Sequence, residues 1–409
     1  MERREVKLGD IITYNKGYAF KSNEYTNTGK MVVRVTDFTL DSISDNDSVY
    51  LEPNDKYKKF IINTNDILIQ TVGSWANNPN SIVGKVVRVP DKCNKAYLNQ
   101  NIVRIIPNRD FNNTYLYYAL KANQFSTYCV LRGQGAANQA SITLDTIFKF
   151  KFRAHLLSEQ KRIADILSSY DNLIENNNKR IKLLEQMAEN LYKEWFVRFR
   201  FPGYGDVEFE NGIPKEWTKD KIRTYYETTS GGTPKRSNSD YFKNGNIPWL
   251  KTGELNDCII LDTDEHITEL GLNKSSAKWL PKNSVAMAMY AGNNVGKLGY
   301  LDTEMTCSQA CCILYDKRKF SSKHYLFHYL LSIREYLQNI SFGAAQQNIS
   351  QDLINKVNII MPNYEVVKLF EEKINVIYNE TKILLKQNKI LITQRDLLLS
   401  RLMSGKLEV

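Results

Sequence analysis

Gly135-Ala136-Ala137-Asn138-Gln139-Ala140-Ser141-Ile142 returns later in the same chain as Gly343-Ala344-Ala345-Gln346-Gln347-Asn348-Ile349-Ser350. The repetition spreads outward from these two stretches. Ser22-Asn23-Glu24-Tyr25 is answered by Asn238-Ser239-Asp240-Tyr241 at an offset of 216, and Gly84-Lys85 by Gly296-Lys297 at 212. Tyr115-Leu116-Tyr117 is answered by Tyr325-Leu326-Phe327 at 210. A slowly shrinking offset is what duplication of a whole domain with small loop deletions leaves behind. Solenoid repeats run to about 20–50 residues. This period is far longer, so each copy should carry its own core. Two similar readers on one chain require a bipartite target.

The 409 residues allow two to four domains, each large enough to bury a core. Hydrophobic residues at 42% and charged residues at 24% describe an ordinary globular chain, neither disordered nor fibrous. The formal net charge is +10, from 55 Lys+Arg against 45 Asp+Glu, which favours a polyanionic partner. The 24 Tyr and 17 Phe, interleaved with Lys and Arg, suit sugar and base contacts, although most should be core. Cys93, Cys129, Cys258, Cys307, Cys311 and Cys312 show no CxxC spacing and read as free thiols of a reducing cytosol. His324 and His328 sit four apart on a predicted helix without a third ligand, so they read as structural. No apolar stretch reaches 18 residues, and Met1-Glu2-Arg3-Arg4-Glu5 is no signal peptide, so a cytoplasmic protein without a membrane partner is expected.

Short strands bounded by Asn, Asp, Gly and Pro turns are predicted at Lys30–Val35, Ile67–Thr71, Ile82–Val89 and Asn101–Ile106, with a helix over Asn113–Thr127. The second copy repeats the order, with strands at Ser284–Tyr290 and Ala310–Tyr315 and a helix over Lys323–Asn339. Both copies therefore read as α+β. After each copy the period changes. Phe370, Ile374, Ile377, Thr381, Leu384, Asn388, Leu391, Arg395, Leu398 and Leu402 alternate steps of four and three, an a/d seam sustained over four heptads. Ile163, Ile166, Tyr170, Leu173, Asn177, Ile181, Leu184, Ala188, Leu191 and Trp195 do nearly the same, with a stutter at Asn177 that should unwind the supercoil locally. A helix of about 38 residues is roughly 57 Å long. The simplest pairing is intramolecular and antiparallel, an arrangement with pseudo-twofold character. Asn177 and Asn388 then act as register markers, or are merely tolerated polar positions. Phe201-Pro202-Gly203-Tyr204-Gly205-Asp206 ends the first helix.

No phosphate-binding loop, HExxH, GxSxG or Rossmann fingerprint occurs. Gly292-Asn293-Asn294-Val295-Gly296-Lys297 lacks the phosphate-loop spacing and a following Ser or Thr. Asn77-Asn78-Pro79-Asn80 superficially resembles the turn of amino-methyltransferases but lacks the second Pro and the aromatic that holds a flipped base. With no catalytic constellation, the chemistry is expected on another subunit. The repeating loops are the candidates for DNA contact: Lys16, Lys21, Arg34, Thr36, Ser74, Trp75, Asn77, Lys85, Arg132, Gln134 and Asn138 in the first copy. The second copy offers Thr233, Lys235, Arg236, Lys251, Thr252, Tyr290, Asn293, Asn294, Lys297, Gln346 and Gln347. Arg and Lys suit guanine edges or phosphates, while Asn and Gln suit adenine edges. Each one singly is as well read as a phosphate contact or a solvated loop.

The duplicated module, with Gly135-Ala-Ala-Asn-Gln…Ile142 before Glu159-Gln160-Lys161-Arg162-Ile163-Ala164 and Gly343-Ala-Ala-Gln-Gln…Ile349 before Met361-Pro362-Asn363-Tyr364-Glu365, resembles the specificity subunit of type I restriction–modification systems. Leu191-Tyr192-Lys193-Glu194-Trp195-Phe196 and Leu402-Met403-Ser404-Gly405-Lys406-Leu407 belong to the same resemblance, which covers essentially the whole chain. Two positions depart from the pattern: His155-Leu156-Leu157 stands where a Pro is expected, and Val366 replaces a Gln. The resemblance implies target recognition domains at 1–157 and 201–362 and long spacer helices at 158–200 and 363–409. Each domain would read half of a split double-stranded DNA sequence. Two modification subunits using S-adenosylmethionine would methylate adenine, and restriction subunits using ATP and Mg would translocate and cut. The chain itself would hold none of these cofactors and no metal. The implied helix contact runs through Ile163, Tyr170, Asn177, Leu184 and Leu191 against Ile374, Ile377, Leu384, Asn388, Leu391 and Leu398. A specificity subunit of a related multisubunit type II system shares this architecture. A self-contained nuclease would instead need an acidic metal cluster, and a pure coiled-coil scaffold would show no salt-dependent DNA binding. About six phosphate contacts give a log–log salt slope near −5.

Overall fold

The sequence repeat is, in three dimensions, a repeat of sheets. A computed structural model describes residues 3–75, 81–136, 139–290, 294–317, 322–341 and 348–409. In the first copy an antiparallel sheet runs Ile12–Lys16, Ile102–Pro107, Ile67–Gln70, Val86–Arg88. The second copy repeats that order as Tyr226–Ser230, Cys311–Asp316, Val285–Ala288, Leu298–Leu301, and adds Cys258–Ile260 in parallel at the edge. A three-stranded sheet obeys the same rule. Val49–Leu51, Lys30–Val33 and Tyr97–Leu98 correspond to His266–Ile267, Ile247–Leu250 and Thr306–Cys307, and the last pairing is parallel in both. A two-stranded ribbon closes each copy, Arg3–Lys7 with Lys151–His155 and Thr218–Lys221 with Asn358–Met361.

Side chains alternate across a strand, and this explains why the central strands read as unbroken apolar runs. Ile67 and Ile69 enter one core with Tyr115, Leu116 and Phe125, while Leu68 between them enters another with Val33, Val87 and Leu98. Val285 and Met287 likewise face Tyr325, Leu326 and Phe370, whereas Ala286 and Ala288 face Leu250, Leu301 and Ile313. Each globule thus has a core on either face of its central sheet, and a third, smaller one around Tyr97 in the first copy and Trp249 in the second. The strand at Val86–Arg88 is shorter than the predicted Ile82–Val89, because Gly84 turns the chain at φ +79°; its counterpart Gly296 does so at +80°. The helix expected over Asn113–Thr127 is two helices, Asn113–Lys121 and Asn123–Arg132, broken where Ala122 is extended. Its counterpart is likewise split into Lys323–Ser332 and Arg334–Ser341.

The first long helix spans Leu157–Tyr192 and continues as a π-turn through Val197; the second spans Tyr364–Ser404. The chain forms two compact units, residues 1–176 with 388–409, and residues 177–387. Each unit therefore combines one globule with a part of both long helices. In the first unit Arg162 donates to the Val409 carbonyl and Asp171 meets Arg395, so the two helical segments run antiparallel. In the second, Asn177 donates to Gln387, Arg180 pairs with Glu380, and Tyr192 packs on Phe370, again antiparallel. Ile163, Asn177, Ile374, Leu384 and Asn388 are buried; Tyr170, Leu184, Leu191, Ile377, Leu391 and Leu398 are half-buried, with Tyr378 and Leu399 more enclosed than their seam neighbours. Leu173 departs from the expected seam. It is 52% exposed, and the half-buried Asp171 and Ile174 stand on either side of it, because the globule widens the inward face beyond a strict a/d stripe.

Candidate nucleic-acid interface

In the first copy Lys16 closes an edge strand and, with Lys21, flanks the loop that carries Tyr18 and Phe20. Gly17 lets that loop lie against its neighbour, since a Cβ there would meet the Asn99 carbonyl at 1.9 Å. Gly231 holds the same place in the second copy, 1.9 Å from the Cys307 carbonyl. Tyr18 N–H donates to Leu98, and Gly232 N–H to Cys307, two acceptors at the same register of their sheets. Arg34 and Thr36 follow the Lys30–Val33 strand. Arg34 is tied to Asp37 at 2.8 Å and to the Asp47 carbonyl at 2.6 Å, so its fork is engaged inside the protein, while Thr36 is exposed. Ser74 bonds Ser81, and the Trp75 indole donates to the Ala136 carbonyl, which brings the Ser74 loop to the Gly135 stretch. Arg132 is exposed, its guanidinium 4.0 Å from the Tyr128 ring centroid, and Gln134 bridges Ser141.

Lys85 is a correction. It is only 7% exposed and lines a cleft of about 540 Å³ with Asp41, Lys121 and the 396–404 stretch of the second helix. Burial pushes its pKa down to about 8, against the opposing pull of Asp41. The Gly84 turn thus delivers this side chain into the cleft and not to the surface. Asn77, Asn138, Asn293, Gln346 and Gln347 lie outside the described residues.

In the second copy Thr233 bonds Gln309, and exposed Lys235 matches Lys21. The Arg236 guanidinium lies 4.6 Å from the Trp249 centroid and 4.8 Å from that of Phe242, and pairs with Glu265. Lys251 reaches the same Glu265 at 2.9 Å. Lys251 also repeats the backbone cap of Arg34: Glu254 accepts from its N–H as Asp37 does from that of Arg34. Thr252 and Asn294 are half-buried, Tyr290 is exposed, and Lys297 reaches Asn256 at 3.4 Å.

The family model of the type I restriction modification DNA specificity domain matches residues 2–186 and again 214–398. The chain belongs to that family. The specificity subunit of the MjaVIII enzyme of Methanocaldococcus jannaschii is 25% identical over 99% of this chain and 92% of its own length. That of the MjaIX enzyme from the same organism is 26% identical over 69% of this chain and 66% of its own. A crystal structure of a type I S subunit from M. genitalium superposes with a TM-score of 0.55, covering 98% of this chain and 96% of that one at 14% identity, a likeness of fold alone. The resemblance read from the sequence thus holds, and the specificity family makes this a non-catalytic subunit.

Within the specificity domains, the buried titratable groups serve the fold. His324 donates from Nδ1 to the Glu371 carboxylate at 2.7 Å, and His328 faces the Tyr378 hydroxyl at 3.3 Å. Five of the six free cysteines are buried. Among the described residues no group of His, Cys, Asp and Glu could hold a metal ion, and no helix is long and apolar enough to cross a membrane. The sequence reading passed over Trp279, which is 50% exposed beside Lys274, Lys278 and Lys282. Its signal was present: residues 270–301 contain no Asp or Glu.

Proposed function

We propose that this chain is the sequence-reading subunit of a type I restriction–modification complex acting in the cytoplasm, each copy reading one half of a split double-stranded DNA target. One observation carries the reading: two globules of the same sheet order present the same loops, Lys16–Lys21 and Gly231–Arg236, Arg34–Asp37 and Lys251–Glu254, at matching register. The net charge of +10 supports a polyanionic partner. In this reading phosphate contacts fix each globule on the duplex and base contacts select sequence. The paired helices set the gap between half-sites and dock two modification subunits, which methylate adenine with S-adenosylmethionine. Restriction subunits supply ATP- and Mg-dependent translocation and cleavage. Deleting two heptads from both long helices should shorten the unread gap in a genome-wide adenine methylation map. A gap of unchanged length refutes the spacer role.

A further inference from the structure

The two copies differ at one matched place in a way that conserves its chemistry. In the first, Tyr18 is 41% exposed and its ring packs on the loop before the central strand, 5.0 Å from Phe60 and 5.3 Å from Tyr57. That loop carries exposed Lys56, Lys58 and Lys59, and the Lys56 and Lys59 ammonium groups lie 4.5 and 5.1 Å from the Tyr57 and Phe60 centroids. In the second copy Tyr18 is replaced by Gly232, which is pressed against the corresponding loop: a Cβ there would meet Ser276 Oγ at 2.2 Å and Ala277 N at 2.5 Å. The loops correspond because each ends in the same bond, Ile62 N–H to the Ala96 carbonyl and Leu280 N–H to that of Met305, both 2.9 Å. The aromatic missing from position 232 reappears on this loop as Trp279, half exposed among exposed Lys274, Lys278 and Lys282.

Each copy thus offers one exposed ring at its first loop, supplied by different segments, each on a stretch of chain that also carries exposed lysines. We propose that Tyr18 and Trp279 are DNA contacts, packing on the deoxyribose faces of the duplex backbone while lysines of the same stretches neutralise phosphates. An exposed aromatic alone would be an ordinary surface feature. A compensating exchange of the ring between two loops, with exposed lysines on both stretches and, in the second copy, no acid between 270 and 301, fits an anionic polymer with apolar sugar faces; in the first copy Glu24 pairs with Lys56 and accepts from the Tyr57 hydroxyl. The inference rests on the DNA-reading function proposed above and adds the residues that do the anchoring.

The test follows tryptophan emission of the full chain titrated with short random-sequence duplex DNA. Trp195, Trp217 and Trp249 are buried, and Trp75, itself a candidate DNA contact, is removed by Trp75→Phe in every sample, so Trp279 should dominate the DNA-dependent change. Trp279→Phe is expected to abolish most of the quench. Trp279→Ala should weaken binding about tenfold. Changing Lys274, Lys278 and Lys282 together to Gln should reduce the log–log salt slope by about 2–3. Wild-type quenching by Trp279→Phe, or wild-type affinity and slope in the other two variants, overturns the proposal. A wild-type chain that binds no duplex at all brings down the functional reading itself.

Discussion

Arg395 is 2% exposed and meets three carboxylates: Asp171 at 2.7 Å, Asp41 at 2.9 Å and Asp396 at 2.8 Å. Burial works against the Asp41 carboxylate, but Lys121 and Arg395 outweigh it and hold its pKa below the usual range. Arg395→Met should therefore remove the cation shared by two half-buried acids, leaving Asp41 to Lys121 and Asp171 to Arg88 and Tyr118, and cost about 3 kcal/mol, read as a lowered Tm. Adding Asp41→Asn and Asp171→Asn should return part of the loss. Among the described residues of the second unit no arginine is buried. There His328, enclosed by Tyr192, Tyr378 and His324, has its pKa pushed by burial from 6.5 to about 3. A depressed folded-state value means stability is complete above about pH 6.5 and is lost as pH falls towards 3. At pH 5 the loss is about 2 kcal/mol. His328→Phe should flatten the fall in Tm between pH 7 and 5, and an unchanged fall would assign it to other groups.

Elements were legible in the sequence where a period repeated long enough to be counted. The seam from Phe370 to Leu402 is one helix because four heptads without Gly or Pro leave no competing structure. Strands such as Ile67–Gln70 were visible as apolar runs, since both faces are buried. The ribbons Arg3–Lys7 with Lys151–His155 and Thr218–Lys221 with Asn358–Met361 were not, because three of the four strands are rich in charged residues and the partners lie about 140–150 residues apart. Sites followed the same logic. Gly17 sits between the candidate residues Lys16 and Lys21, and Gly231 just ahead of Thr233, yet their role depends on a carbonyl contributed by a distant strand. Lys85 looked like a surface contact because Gly84-Lys85 recurs as Gly296-Lys297; only the fold turns it inward. Gly17→Ala and Gly231→Ala should each displace their loop from the sheet. Both variants are expected to lower Tm, by an amount that shows whether the strand can yield.

At the scale of the whole molecule, two separately cored globules predict separable reading. If each copy reads its own half-site, Gly17→Ala should relax the methylated sequence on one side of the gap and Gly231→Ala on the other, as seen by methylation mapping. Relaxation of both sides by either change would show one joint reading surface. The make-up of the first unit has a further consequence. Its core takes Ile163, Ala164 and Leu167 from early in the chain, but Leu399 and Leu402 from beyond residue 388. During synthesis at about 5–20 residues per second, the amino-terminal globule waits roughly 10–40 s for that closing segment to leave the ribosome. The later-made unit is contiguous and has no such delay, so the first half to be translated is the last to be finished.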